Sequence, residues 1–162
     1  MSREKISARD LLRHSVATIA YRGGKIVRDA PQGYVDFEAG HNCRTPVQIL
    51  AHIGDLFDWA LSMASGKPAW HDSEPLPWPD EVQRFFDTLK RFDDYLASPA
   101  ELHDSVDKLL QGPVADALNH VGQLAMLRRL SGGPIRGENY HKADIAAGQV
   151  GKDQPAPKFE FD

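Results

Sequence analysis

The chain has 162 residues, 41% hydrophobic and 26% charged, with a formal net charge of −4, the balance of one globular domain large enough to bury a single core. Its Lys and Arg are scattered among Asp and Glu, and no apolar run nears the ~20 residues that span a bilayer, so neither nucleic acid nor membrane is expected as a partner. The single cysteine, Cys43, excludes an internal disulfide and fits a reducing compartment. Together with an opening Met1 to Lys5 that lacks a signal-peptide core, this predicts a cytoplasmic protein.

Ser7 caps a first helix whose stripe is Leu12, Val16 and Ile19. Gly23-Gly24 either breaks that helix or lets it run through Ile26 and Val27 to a stop at Pro31. Thr45-Pro46 starts a second helix, with Ile49, Ile53, Leu56, Phe57, Ala60 and Leu61 in 3.6-residue period until Gly66 and Pro68. Pro79-Asp80-Glu81 opens a third, with acids at its positive end and a stripe of Val82, Phe85, Phe86, Leu89, Phe92 and Leu96. Ser98-Pro99-Ala100-Glu101 matches a capping box and predicts a short helix through Leu102, Val106, Leu109 and Leu110 that ends near Gly112. Pro113 then begins the last long helix, with Val114, Ala117, Leu118, Val121, Leu124 and Ala125 inward. Arg128 and Arg129 suit its negative end, and Ser131-Gly132-Gly133-Pro134 terminates it.

No strand pattern stands out. Four substantial amphipathic helices predict an all-α fold, a four-helix bundle. The connections Asp29–Arg44 and Lys67–Trp78 are too long for tight up-and-down turns and predict overhand crossings. The whole chain, 1–162, reads as one domain with a core over about 7–132. Residues 133–162 read as a loose, mostly irregular tail with one short helix near His141 to Ala147.

Asp116 and His120 stand four apart and share a helix face. His52 falls inside the apolar stripe of the second helix, where an imidazole must find a partner or stay neutral. Read singly, His52 is a core histidine and the other two are surface decoration. Read together, two imidazoles and a carboxylate are the ligand set of an open metal position.

Thr45-Pro-Val-Gln-Ile-Leu-Ala-His52-Ile-Gly-Asp-Leu, with the later Asn119-His120-Val-Gly-Gln-Leu, resembles the DinB/YfiT-like superfamily of metal-binding helical proteins. The resemblance spans roughly residues 7 to 132. It implies a four-helix bundle, commonly dimeric, with a metal held by one histidine of the second helix and two of the last long helix. His52 and His120 match two of these positions, and Asp116 stands where the third histidine belongs. A His52, Asp116, His120 triad suits one divalent ion: Zn, Ni, Mn or Fe(II).

Around that triad, Asp55 reads as a partner orienting an imidazole and Asp58 as a solvated acid. Gly122, costly inside a helix, suggests close approach of a neighbouring helix. Gln123 reads as a hydrogen-bonding neighbour of the site or part of its rim. Glu138, Tyr140 and His141 would reach the site only if the tail folded back over it. Cys43, near a helix N-terminus, lacks the support a catalytic thiol needs. Trp59, Trp70 and Trp78 read as core or dimer-interface aromatics.

Two functions remain open. One is a metal-dependent enzyme on a small molecule, for which the resemblance points to transferases or isomerases using a low-molecular-weight thiol, or to hydrolases, in a homodimer. The other is a non-catalytic stress-response or binding protein that keeps the helices without the chemistry. A di-iron carboxylate site needs Glu-x-x-His on two helices. Residues three before His103, His120 and His141 are Ala100, Ala117 and Glu138, so only one such pair exists.

Overall fold

The computed structural model describes residues 6–161. Met1 to Lys5, with the expectation placed on them, and Asp162 lie outside it. The chain is mostly helical: α1 is Ala8–Val27, α2 Pro46–Ala64, α3 Trp78–Ala97, α4 Val106–Leu109 and α5 Ala115–Leu130. The four long helices enclose one core, in which α1 and α2 each pack on both α3 and α5. Phe57, Phe85, Phe92, Leu50, Ile53 and Leu89 are wholly buried at its centre.

The punctuation acts as expected at most ends. The Ser7 side chain accepts from the Asp10 N–H at 3.1 Å, and Gln48 closes the start of α2 by accepting from the Thr45 N–H at 2.9 Å. α1 runs through Gly23-Gly24 because these glycines are its contact with α3. A methyl group on Gly23 would lie 2.5 Å from the Phe85 ring, so the missing side chain lets the phenyl seat on the backbone. α1 ends at Val27, where the guanidinium of Arg128 donates to the Ile26 and Arg28 carbonyls at 2.6 and 3.0 Å. Arg128 therefore caps a neighbouring helix as well as sitting at the end of its own.

Three local expectations fail. The Ser98 box starts no helix: Arg9 donates to the Ser98 and Ala100 carbonyls, and Tyr95 Oη to that of Glu101. These donors hold 98–101 open, and helix resumes only after Ser105. Nor does a helix end at Gly112. α4 passes into α5 through a π turn, Leu110–Val114, in one continuous rod. The third concerns the residues after Gly133. Gly137–Glu138 (β1) pairs antiparallel with Glu160–Phe161 (β2), a pairing too short to show alternation in sequence. The helix expected near His141 is a single 3₁₀ turn, Tyr140–Lys142.

Nor is this segment loose. Glu138 is buried against α1, accepting from Tyr21 Oη at 2.6 Å and Lys25 Nζ at 2.9 Å, while Lys25 also meets Glu160 at 2.8 Å. The Arg22 guanidinium stacks 4.1 Å over Tyr140, and Val150 joins the core. The long connection after α1 is equally anchored: buried Tyr34 donates to the Leu124 carbonyl at 2.9 Å and meets Trp78 edge-on at 5.8 Å. No helix among the described residues is long and apolar enough to cross a membrane.

Candidate metal centre

The π turn before α5 follows from Gly112-Pro113. Proline has no N–H to give, and its ring would collide with the carbonyl four residues back in a regular α turn. A wider turn relieves that collision, and the Ala115 N–H reaches back to the Leu110 carbonyl five residues earlier. Past this turn α5 lies against α2, and Asp116 and His120 meet His52 across the seam.

The three side chains present donor atoms that all lie within 4.8 Å of one another and could hold a metal ion. His120 Nε2 is 3.5 Å from Asp116 Oδ1, and His52 Nε2 is 3.9 Å from Asp116 Oδ2. Two ligands at about 2.1 Å on a tetrahedral ion stand ~3.4 Å apart, so both histidine–aspartate separations lie near that span. The imidazoles are mostly buried (15% and 12% exposed) and lie edge to face with ring centres 4.7 Å apart, whereas Asp116 is nearly half exposed. One side is protein and the other opens to solvent.

His120 Nδ1 lies 2.9 Å from Gln123 Oε1. An amide oxygen only accepts, so Nδ1 carries a proton, and a neutral ring then has its lone pair on Nε2, the atom that faces Asp116. For His52, burial comes first and the charges of Arg44 and His120 second in holding the imidazole below its ordinary range, against the opposing pull of Asp116 and Asp55. It is neutral at pH 7, the state that ligates. Trp70 meets the His52 ring at 5.7 Å and is itself backed by Trp59 at 5.7 Å. Sequence reasoning left Trp70 among generic aromatics, because nothing in its own connection marks it as a wall of this site. Trp59 and Trp78 are half-buried and pack against the core.

Asp55 and Asp58 serve elsewhere. Asp55, buried, accepts from the Ser73 N–H and hydroxyl at 2.9 and 2.7 Å and pairs with Arg84. Burial alone would raise its carboxyl; the Ser73 donors and Arg84 together hold it below its ordinary range. His71 Nε2 is 3.0 Å from Asp55 and 3.4 Å from Asp58. Those three residues also gather donor atoms closely, but Arg84 and Arg91 both pair with Asp58 and already supply the cations. Asp58 is thus a paired acid, not a solvated one.

Gly122 is exposed and faces open space, with no neighbouring helix against it. Glu138, Tyr140 and His141 lie with α1 and not at the triad: Tyr140 and His141 line a cavity with His14, Thr18 and Arg22. Cys43 is exposed on the connection before α2. Two grooves flank the triad. A polar one includes His52, Gln48, Ser73 and Asp72; a largely apolar one includes His120 and Gln123; Arg44 lines both.

Comparison with protein-family models, with curated proteins and with solved structures gives no match.

Proposed function

We propose that this chain is a divalent-metal protein of the DinB-like kind, a four-helix bundle with long overhand connections whose His52, Asp116 and His120 hold one Zn, Ni, Mn or Fe(II) ion for chemistry on a small molecule. The observation that carries this is the convergence of three donors from two helices, with the tautomer of one imidazole set by Gln123. An ion held by three protein ligands supplies a Lewis acid with open positions, able to lower the pKa of a thiol or of water. That suits a transferase or isomerase using a low-molecular-weight thiol, or a hydrolase. His52 and His120 offer ring nitrogens, Asp116 offsets part of the cation's charge, Trp70 shields one flank, and the two grooves give a substrate its approach. The same reading includes a homodimer, for which exposed Trp70 and Leu76 on the α2–α3 connection supply apolar surface.

Elemental analysis and metal titration of untagged protein test it. One ion per chain is expected, with most binding lost in His52→Ala and in His120→Ala. A parent without stoichiometric metal, or variants that bind as well as it does, would overturn the reading.

A further inference from the structure

We propose that the apolar groove beside His120 takes an amphipathic organic anion, its apolar body on the α5 face and its carboxylate on Arg44. The groove encloses about 470 Å³, within the range of small-molecule sites. Ala39, Cys43, Ile49, Met126, Leu127 and Leu130 give it apolar lining, and His120 and Gln123 line it too. Met126 and Leu130 are each 57% exposed, so the wall presents apolar surface that the folded chain leaves uncovered.

The charge on this lining is one-sided. Arg44 is its only residue with a permanent charge, and no acid contributes to it. Among the described residues Arg44 makes no ion pair. Asp55, in the neighbouring polar groove, is already taken by Ser73 and Arg84, and Asp72 and Glu74 there stand beyond pairing distance of Arg44. A guanidinium at the junction of an apolar trough and a two-histidine site selects a ligand with one anionic end and a hydrocarbon or aryl remainder. Calling that ligand the substrate rests on the metal-centre reading; the binding itself does not.

Isothermal titration of the chelated full-length protein with octanoate, against 1-octanol and acetate as controls, measures the claim. Octanoate is expected to bind, and both controls at least about tenfold more weakly, as loss of a charge-assisted contact or of the apolar body dictates. Arg44→Gln should lose about tenfold and Arg44→Lys less. Met126→Glu should lose as much as Arg44→Gln by placing a like charge and a polar group in the trough. Both side chains are exposed, so these variants keep the fold, and circular dichroism checks that they do. Cys43, the single cysteine, supplies a second readout: octanoate should slow its labelling by a neutral maleimide. Absence of octanoate binding, equal binding by Arg44→Gln, or unprotected Cys43 overturns the proposal. So does a dimer that Met126→Glu disrupts while octanoate fails to bind, since a second copy then covers the face. Metal titration of the same samples separates the two ideas, because octanoate binding without metal binding sinks only the metal centre.

Discussion

His120 and Gln123 stand one helical turn apart, and the 2.9 Å contact between Nδ1 and Oε1 decides which imidazole nitrogen faces the carboxylate of Asp116. The amide is not a ligand, yet it orients one. Gln123→Leu should weaken metal binding by about 10-fold or more, the usual effect of losing such a partner, while Gln123→Glu retains it. Competition with a chromophoric chelator measures both, and unchanged affinity in Gln123→Leu would dissociate the contact from the site.

Asp116→His should keep the ion and shift preference towards softer metals, because imidazole replaces a hard anionic oxygen. His103→Ala, packed beside Gly66 past the C-terminal end of α2 while His52 lies near its start, should leave binding unchanged. Titration with Zn and Mn in parallel reads the preference directly.

Two glycines should answer opposite ways to the same substitution. Gly23→Ala gains about 1 kcal/mol of helix propensity, but its methyl must displace the Phe85 ring, an overpacking that costs about 1–3 kcal/mol; net destabilisation is expected. Gly122→Ala meets open space and should stabilise by about 1 kcal/mol. Urea midpoints of the two variants check the signs.

The buried Asp55 carboxylate links stability to acid. Its folded pKa lies below the ordinary 3.8, so its contribution is complete above that value and is lost as pH falls through the folded pKa. Asp55→Asn should lower stability at pH 7 by about 3 kcal/mol, the lower end for a broken buried pair. The difference from the parent should shrink towards pH 3. Denaturant titrations at pH 7, 5 and 3 give the slope; a constant difference would mean that the carboxylate's charge contributes nothing.

Glu138 ties the C-terminal segment to α1 through Tyr21 and Lys25. Glu138→Ala leaves that corner with a buried lysine and only Glu160 beside it, at a cost of about 3 kcal/mol. Limited proteolysis should then cut within 139–159 well before the helices, whereas the parent resists.

Helix ends were readable where a side chain satisfies its own backbone. Ser7, Thr45-Pro46 and the stop at Gly66 are local devices, and local devices survive translation into structure. Misreadings arose where a distant group took over. The Ser98 box lost to Arg9, which arrives from α1, and no spacing near residue 98 announces a donor almost ninety residues away. Pro113 read as a start because a proline inside a helix is costly, yet a wider turn accommodates it. At the site, the i, i+4 spacing of Asp116 and His120 was legible, and so was the inward place of His52. Trp70 and Arg44 were not, since each lies on a connection whose path is fixed only by tertiary packing. Asp55 does meet an imidazole, but that of His71 on the connection after α2, and it also pairs with Arg84 of α3; neither partner is near it in sequence.

The wide turn at Leu110–Val114 works as a gear tooth. One residue inserted into a regular α-helix turns everything after it by about 100°, whereas a wider turn takes up an additional residue within itself. The phase of α5 therefore depends on Leu110–Val114 staying wide: wound as regular α-helix at unchanged length, this stretch would swing Asp116 and His120 about a quarter-turn away from α2, with Leu124 and Val121 turned out of the core along with them. Core and candidate ligands are thus indexed by one feature, and a change of winding there cannot move the site without also unseating the helix that carries it.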